Sequence, residues 1–419
     1  MQHLNYQQHR IKRPTSLLLI FIVGLLQSCA SDRGGEAPLA HLSPAGWQDI
    51  EQALSHNNFN SYAAAIKTDV KQFRVPFDTA DASSEVDMAS PLEIPAAEEC
   101  GNPRGIALLV HGLSDTAFAM RDLAQVLASA CYISRTVLLP GHGTRPGDLQ
   151  TTRLIHWEKT LSYLVDQAAT ESDTVLLAGF SLGAVLTLSE ALSNDLVDGL
   201  IALSPAYFLS TYHLARWTPY IRPFKKWIDR GLPDDSMRYE AMPTRGVVET
   251  VKAMQKMHKA IKNSPEIKIP WLLAQSLDDA VTVPERNREF FFANARHPDS
   301  RSISFNSSST QAYNQDPARK TRDILISGSS KTMRVDALTH LAIHITPDNP
   351  HYGINGRYRN CGTTAPRDQA LVENCLRSDE VWYGLWGAIP PQGRAQAMST
   401  FNPAFDEFAQ EIIRFVNDI

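Results

Sequence analysis

From about residue 100 onward the chain alternates between two hydrophobic patterns. The runs "GIALLVHGL" (105–113), "RTVLLPGH" (135–142), "TVLLAGFS" (174–181), "VDGLIALSP" (197–205) and "PWLLAQSLDD" (270–279) place apolar side chains at consecutive positions. A strand covered on both faces needs that pattern; a strand with one wet face alternates instead. Between the runs, "FAMRDLAQVLASA", "RLIHWEKTLSYLVDQAATES" and "LGAVLTLSEALSN" repeat their apolar residues at the spacing of a helix. The succession predicts βαβ units and hence an α/β fold: a mostly parallel central sheet with helices on both faces and ligand chemistry at the carboxyl ends of the strands. Those ends carry Gly, His, Ser or Asp. The closing "NPAFDEFAQEIIRFVNDI" reads as an amphipathic helix lying on the sheet. The polar, Ser-rich stretch from about 292 to 335 reads as an insertion.

Composition narrows the functional classes. With 419 residues, 43% hydrophobic, 20% charged and a net charge of −5, the chain can bury one large core or two modest ones. Lys and Arg do not gather into a long stripe, so nucleic acid is excluded as an expected partner. No H-E-x-x-H, G-x-G-x-x-G or C-x-x-C occurs, which leaves metal and dinucleotide cofactors without a motif; none is expected.

The N-terminus has a different character. Arg10, Lys12 and Arg13 precede an apolar stretch, Leu17 to Leu26, too short to span a bilayer, and small residues follow around Cys29. This is the pattern of an export signal. "LLQSC" resembles the lipobox of bacterial lipoproteins, which implies cleavage after residue 28, lipid on Cys29 and a membrane-anchored protein in the bacterial envelope. Ala30 after the Cys, in place of Asp, implies the outer membrane. Residues 29–45, small and polar with Pro and Gly, then form a tether, and residues 46–419 the folded body. With Cys29 set apart, Cys100, Cys131, Cys361 and Cys375 remain, an even number suited to an oxidising compartment. Three pairings are open; Cys100 with Cys131 and Cys361 with Cys375 close the short local loops and are the expectation.

The chemistry centres on Gly179-Phe180-Ser181-Leu182-Gly183, which follows a strand-like run and opens a helix-like one. In that context G-x-S-x-G forms a nucleophile elbow: the turn is so sharp that the flanking positions must lack a Cβ, and the Ser is held exposed at a strained backbone angle. Acyl transfer at such a Ser needs two N–H donors for the developing oxyanion. Leu182 supplies one, and Leu113, just past His111-Gly112, the other. His111 precedes the Ser in the chain, whereas the partners of an elbow serine follow it in the order Asp, His; His111 is therefore read as loop architecture.

Together, "LLVHGLSDTAFAMRDLAQVLAS", "LLPGHGTRPGDL" and "LAGFSLGAVLTL" resemble the α/β-hydrolase superfamily, and within it the bacterial carboxylesterases and monoacylglycerol lipases. The resemblance covers residues 100–205 well and the rest more loosely. It implies a serine hydrolase that cleaves a small-molecule carboxylic ester or lipid through a Ser-His-Asp triad and an acyl-enzyme, with no cofactor. It also implies a small helical cap between the fourth and fifth runs, at about 206–267. There "YFLSTYHLARWTPYIRPFKKWI" and "VVETVKAMQKMHKAI" offer aromatic, Met and aliphatic stripes for an acyl chain or for the cap's own packing. The family pattern places the acid at Asp279. Ser276 stands where the family has Gly and one extra residue precedes Pro284, so Asp278 stays open. For the base it points to His340, with His344 open as a packing neighbour, while His142 and His351 shape loops. A peptidase or thioesterase on the same fold, and a non-catalytic envelope binding module, are the competing readings.

Overall fold

A computed structural model describes residues 37–46, 58–231, 233–264, 266–307, 322–361, 369–385 and 393–419. The expected signal segment, Cys29 and part of the tether lie outside these residues, as does the centre of the Ser-rich stretch.

The core is an eight-stranded sheet. Its strands are β1 (Leu92–Ile94), β2 (Gly105–Val110), β3 (Tyr132–Val137), β4 (Val175–Phe180), β5 (Gly199–Leu203), β6 (Trp271–Ser276), β7 (Arg301–Asn306) and β8 (Asp323–Ser327). They lie side by side in the order β1-β3-β2-β4-β5-β6-β7-β8. β1 runs antiparallel to β3, and every other pair is parallel. Every residue of β2, β4, β5 and β6 is buried, which is why their sequences are continuous apolar runs.

Alternate residues of each strand serve opposite layers. Ala107, Leu109, Leu176, Ala178, Ile201, Leu203, Leu272 and Ala274 point into one core with helices α3 (Arg121–Ser129) and α9 (Phe405–Asn417). Ile106, Leu108, Val110, Leu177, Leu200, Ala202 and Leu273 point into the other. That second layer holds α4 (Leu154–Glu171), α5 (Leu182–Ala191), α6 (Thr244–Asn263) and α7 (Pro284–Asn294). The amphipathic reading of the C-terminus matches α9, which buries Phe405, Phe408, Ile412, Phe415 and Val416. Truncating any one of these Phe residues to Ala costs about 3–5 kcal/mol. This arrangement is the α/β-hydrolase fold.

Two features depart from the sequence reading. The stretch 292–335 is not simply an insertion: it begins within α7 and contains β7 and β8, two strands of the central sheet. β7 escaped notice because its sequence, RSISFN, alternates Ile303 and Phe305 with Ser302 and Ser304, all four buried. The second concerns residues 58–94, which the run pattern did not cover. They form α1 (Phe59–Phe73), capped by Asn58 whose side chain accepts from the Ser61 N–H at 2.9 Å, then α2 (Ala82–Ala89) and β1.

Residues 206–243 leave the sheet after β5. They contain two four-residue helices, Tyr212–Ala215 and Thr218–Ile221, and a small antiparallel pair, Trp227–Asp229 with Met242–Pro243. α6 then returns across the domain and packs on α5 and α4, with Ala253, Met254, Met257 and Ile261 in the shared core. The disulfides are Cys100–Cys131 and Cys361–Cys375, with Cα atoms 5.5 and 5.7 Å apart. The second pins α8 (Gln369–Arg377), whose Cys375 is fully buried. No helix among the described residues is long and apolar enough to cross a membrane.

Candidate active site

Ser181 joins β4 to α5 at φ +52°, ψ −111°, a conformation that a side chain adopts only where its surroundings enforce it. The enforcement is visible at the two glycines. A Cβ on Gly179 would lie 2.5 Å from the backbone of Gly183 and Ala184, and one on Gly183 would lie 2.1 Å from the Val110 carbonyl oxygen. The first turn of α5 is therefore pressed onto the end of β2, and only glycine fits there. Ser181 itself stays half-exposed.

Two elements from the far half of the chain meet it. Ser181 Oγ is 2.9 Å from His340 Nε2, and His340 Nδ1 is 2.7 Å from Asp279 Oδ2. Asp279 lies in the loop between β6 and α7, and His340 sits in the turn that follows β8. The carboxylate is fixed on its other side: its Oδ1 accepts from the N–H groups of Val281 and Thr282, at 2.8 and 3.0 Å, and its Oδ2 from the Thr282 hydroxyl at 2.8 Å. Burial alone would raise this carboxyl; the charge and hydrogen bond of His340 and the two bonds from Thr282 outweigh it, so its pKa lies below the ordinary value. Asp279 is thus an anion held against an imidazole. Asp278, half-exposed, donates its N–H to Ser276 Oγ at 3.1 Å, and His340 bonds to Asp279 instead.

Sequence reasoning missed the residues that hold the histidine turn. Ser276 donates its hydroxyl to the Leu338 carbonyl at 2.7 Å, two residues before His340, so the position where Gly was expected ties the acid strand to the base. Thr339 donates its hydroxyl to the Ser399 carbonyl (2.8 Å) and its N–H to Ser399 Oγ (2.9 Å). Farther on, Asp122 at the start of α3 accepts from the Thr346 N–H and the Asn349 side chain. A hydroxyl two residues from a candidate acid was the only available signal for Ser276, and it pointed to no partner.

The two expected oxyanion donors lie on one edge. Val110 of β2 and Gly179 of β4 are paired in register, and Leu113 and Leu182 each follow three residues later. Leu182 opens α5, where backbone N–H groups have no intrahelical acceptor and the helix dipole favours negative charge. Leu113 is half-buried against Gly246 of α6.

The other histidines have different surroundings. His111 is buried, donates from Nδ1 to the Gly112 carbonyl (2.7 Å) and accepts the Leu139 N–H at Nε2 (3.1 Å); burial lowers its pKa to about 4. It braces the β2 and β3 loops, and its ring meets that of His142 edge-on at 4.8 Å. His344 lies against Phe180, ring centroids 4.4 Å apart, and burial lowers it to about 3. His351 bonds to Asp235 at 2.7 Å. Asp115, two residues past Leu113, is pushed up to about 7 by burial. No group of three or more His, Cys, Asp or Glu among the described residues could hold a metal ion.

Parts of the chain are similar to known proteins. A protein family described as serine aminopeptidase, S33 matches residues 101–306, a span that takes in β2 through β7. The thermostable monoacylglycerol lipase of Bacillus sp. (strain H-257) is 27% identical over 199 residues, covering 45% of this chain and 76% of its own. Among solved structures, the Paleococcus ferrophilus monoacylglycerol lipase is 20% identical, covers 55% of this chain and 92% of its own, and superposes with a TM-score of 0.44. A chain from the metagenome-derived lipolytic enzymes LipS and LipT is 18% identical, covers 52% and 88%, and has a TM-score of 0.46. The strand order and the elbow give this chain the α/β-hydrolase fold, and its residues 101–306 are similar to the family described as serine aminopeptidase, S33.

Proposed function

We propose that the protein is a serine hydrolase of carboxylic esters, acting through Ser181, His340 and Asp279. The observation that carries the reading is the unbroken hydrogen-bond path from Asp279 through His340 to Ser181, at 2.7 and 2.9 Å. Ser181 Oγ attacks the ester carbonyl while His340 Nε2 takes its proton. The Asp279 anion keeps Nδ1 protonated and stabilises the imidazolium. The oxyanion accepts from the N–H groups of Leu182 and Leu113. His340 returns the proton to the departing alkoxide, an acyl-enzyme remains on Ser181, and water, deprotonated by the same imidazole, releases the acid.

The ester preference rests on the likeness to the Bacillus monoacylglycerol lipase, and an acylglycerol is the corresponding substrate class. A peptide substrate is the second reading, favoured by the family description as serine aminopeptidase. Hydrolysis rates across nitrophenyl esters of increasing acyl length, set against an aminoacyl anilide, separate the two. Ester turnover with little anilide turnover is expected, and the reverse overturns the ester reading. We also propose that Cys29 carries lipid after export and anchors the enzyme to the envelope, the outer membrane being its place; a Cys29→Ser protein recovered in the soluble fraction at wild-type abundance is the expected result.

A further inference from the structure

The segment that leaves β5 carries three large apolar side chains in water. Trp217, Tyr220 and Phe224 are 47%, 71% and 91% exposed. They are not scattered. The N–H groups of Ile221, Arg222 and Lys225 donate to the carbonyls of Trp217, Thr218 and Ile221, so residues 217–225 wind helically, and positions 217, 220 and 224 fall on one face. The opposite side holds Ala215 and Thr218, which are buried. Solvation of three adjacent rings on a short turn is costly, and such a patch marks a binding face.

The charges around it choose the partner. Residues 213–230 contain Arg216, Arg222, Lys225, Lys226 and Arg230 against one carboxylate, Asp229, in a chain whose net charge is −5. The Arg216 guanidinium lies over the Trp217 ring at 5.3 Å, and no ion pair among the described residues holds Arg216, Lys225 or Lys226. Trp and Tyr rings with flanking Lys and Arg are the groups that settle at the headgroup level of a bilayer, the cations reading anionic lipid and the rings entering the boundary. The segment is also tied to the acid loop. The Ser210 N–H donates to the Val281 carbonyl at 3.0 Å, and the Val283 N–H to the Phe208 carbonyl at 2.9 Å, two to four residues past Asp279. The stretch that leads into this face is thus bonded to the loop that carries Asp279.

We propose that the Trp217–Lys226 turn is a docking surface for an anionic lipid bilayer. The proposal stands apart from the chemistry assigned to Ser181. The direct test uses the full chain with Cys29→Ser and Phe224→Cys, carrying an environment-sensitive nitrobenzoxadiazole label at 224, and a matched protein labelled through Asp195→Cys at the opposite edge of the sheet. Vesicles of phosphatidylcholine with phosphatidylglycerol are expected to shift the emission at 224 to the blue and leave 195 unchanged. Raising salt to about 1 M, where the screening length falls to about 3 Å, is expected to reverse the shift. In the unlabelled protein, Lys225→Gln and Lys226→Gln each lower vesicle affinity about fivefold, and Trp217→Ala with Phe224→Ala lowers it by more than tenfold, roughly the loss expected from two unburied rings. These variants keep the hydrolysis rate on a soluble nitrophenyl ester, and Ser181→Ala keeps vesicle binding, so a failure of the ester reading and a failure of docking are told apart. An unshifted label at 224 on vesicles that carry bound protein overturns the proposal. So does a shift indifferent to phosphatidylglycerol, and so does a concentration-dependent shift without lipid, which gives the face to a second copy of the chain.

Discussion

Gly183→Ala tests how closely the elbow is built. The new Cβ would stand 2.1 Å from the Val110 carbonyl oxygen and 2.7 Å from that of His111. Both are backbone atoms at the end of β2, so no rotamer change relieves the clash, and α5 must retreat by about 1 Å merely to reach the closest tolerated contact. That retreat carries Leu182 away from Leu113 and Ser181 away from His340. Misplacement on this scale costs about a hundredfold in rate, and the overpacking lowers unfolding free energy by about 1–3 kcal/mol. Gly246→Ala is the control. It lies in α6, its Cβ would approach nothing closer than the tip of the Leu113 side chain at 3.3 Å, and it gains up to about 1 kcal/mol of helix propensity. Nitrophenyl ester kinetics and chemical denaturation measure both effects. A Gly183→Ala protein with wild-type kcat and wild-type stability would refute the reasoning.

Asp279→Asn is expected to lower kcat about 10⁴-fold, since the neutral amide no longer selects the imidazole tautomer, while Asp278→Asn leaves kcat near the wild-type value; the opposite ranking assigns the acid to Asp278. Acid should unfold the protein through its buried neutral rings. His111 and His344 titrate at about 4 and about 3 in the fold against about 6.5 when unfolded, so below pH 6.5 the unfolded chain binds protons that the native one refuses, and stability falls by about 3 kcal/mol per ring by pH 4. His344→Phe, tested by denaturation at pH 7 and pH 5, should show a smaller drop than wild type, and an equal drop sinks the assignment. Asp115 acts with the opposite sign. Its carboxyl is raised to about 7, so between about pH 4 and 7 the native state holds a proton that the unfolded chain has released, and stability declines as pH rises through that window. Asp115→Asn should remove the decline, and an unchanged slope contradicts it.

What was legible in the sequence is what many residues say together. β2, β4, β5 and β6 announced themselves because a strand covered on both faces needs apolar side chains at consecutive positions, and the elbow because two glycines and a serine recur at one spacing between a strand and a helix. β7 was hidden because half of its buried positions are serines, small enough to pack where aliphatics were sought. β1 has three residues and pairs antiparallel at an edge, too short for any period to show. The same limit governed the site. Ser181 has a local signature, and Asp279 and His340 were placed by a family pattern, but Thr282 and Ser276 act through bonds whose partners are fixed only by folding: Ser276 and Leu338 lie 62 positions apart.

We read Ser181 as a nucleophile primed by His340. Mass spectrometric mapping of the adduct formed with a fluorophosphonate probe examines it most directly. One adduct is expected, on Ser181, absent from Ser181→Ala and formed far more slowly in His340→Gln. A folded wild-type protein that takes no label, or takes it on another residue, would contradict it.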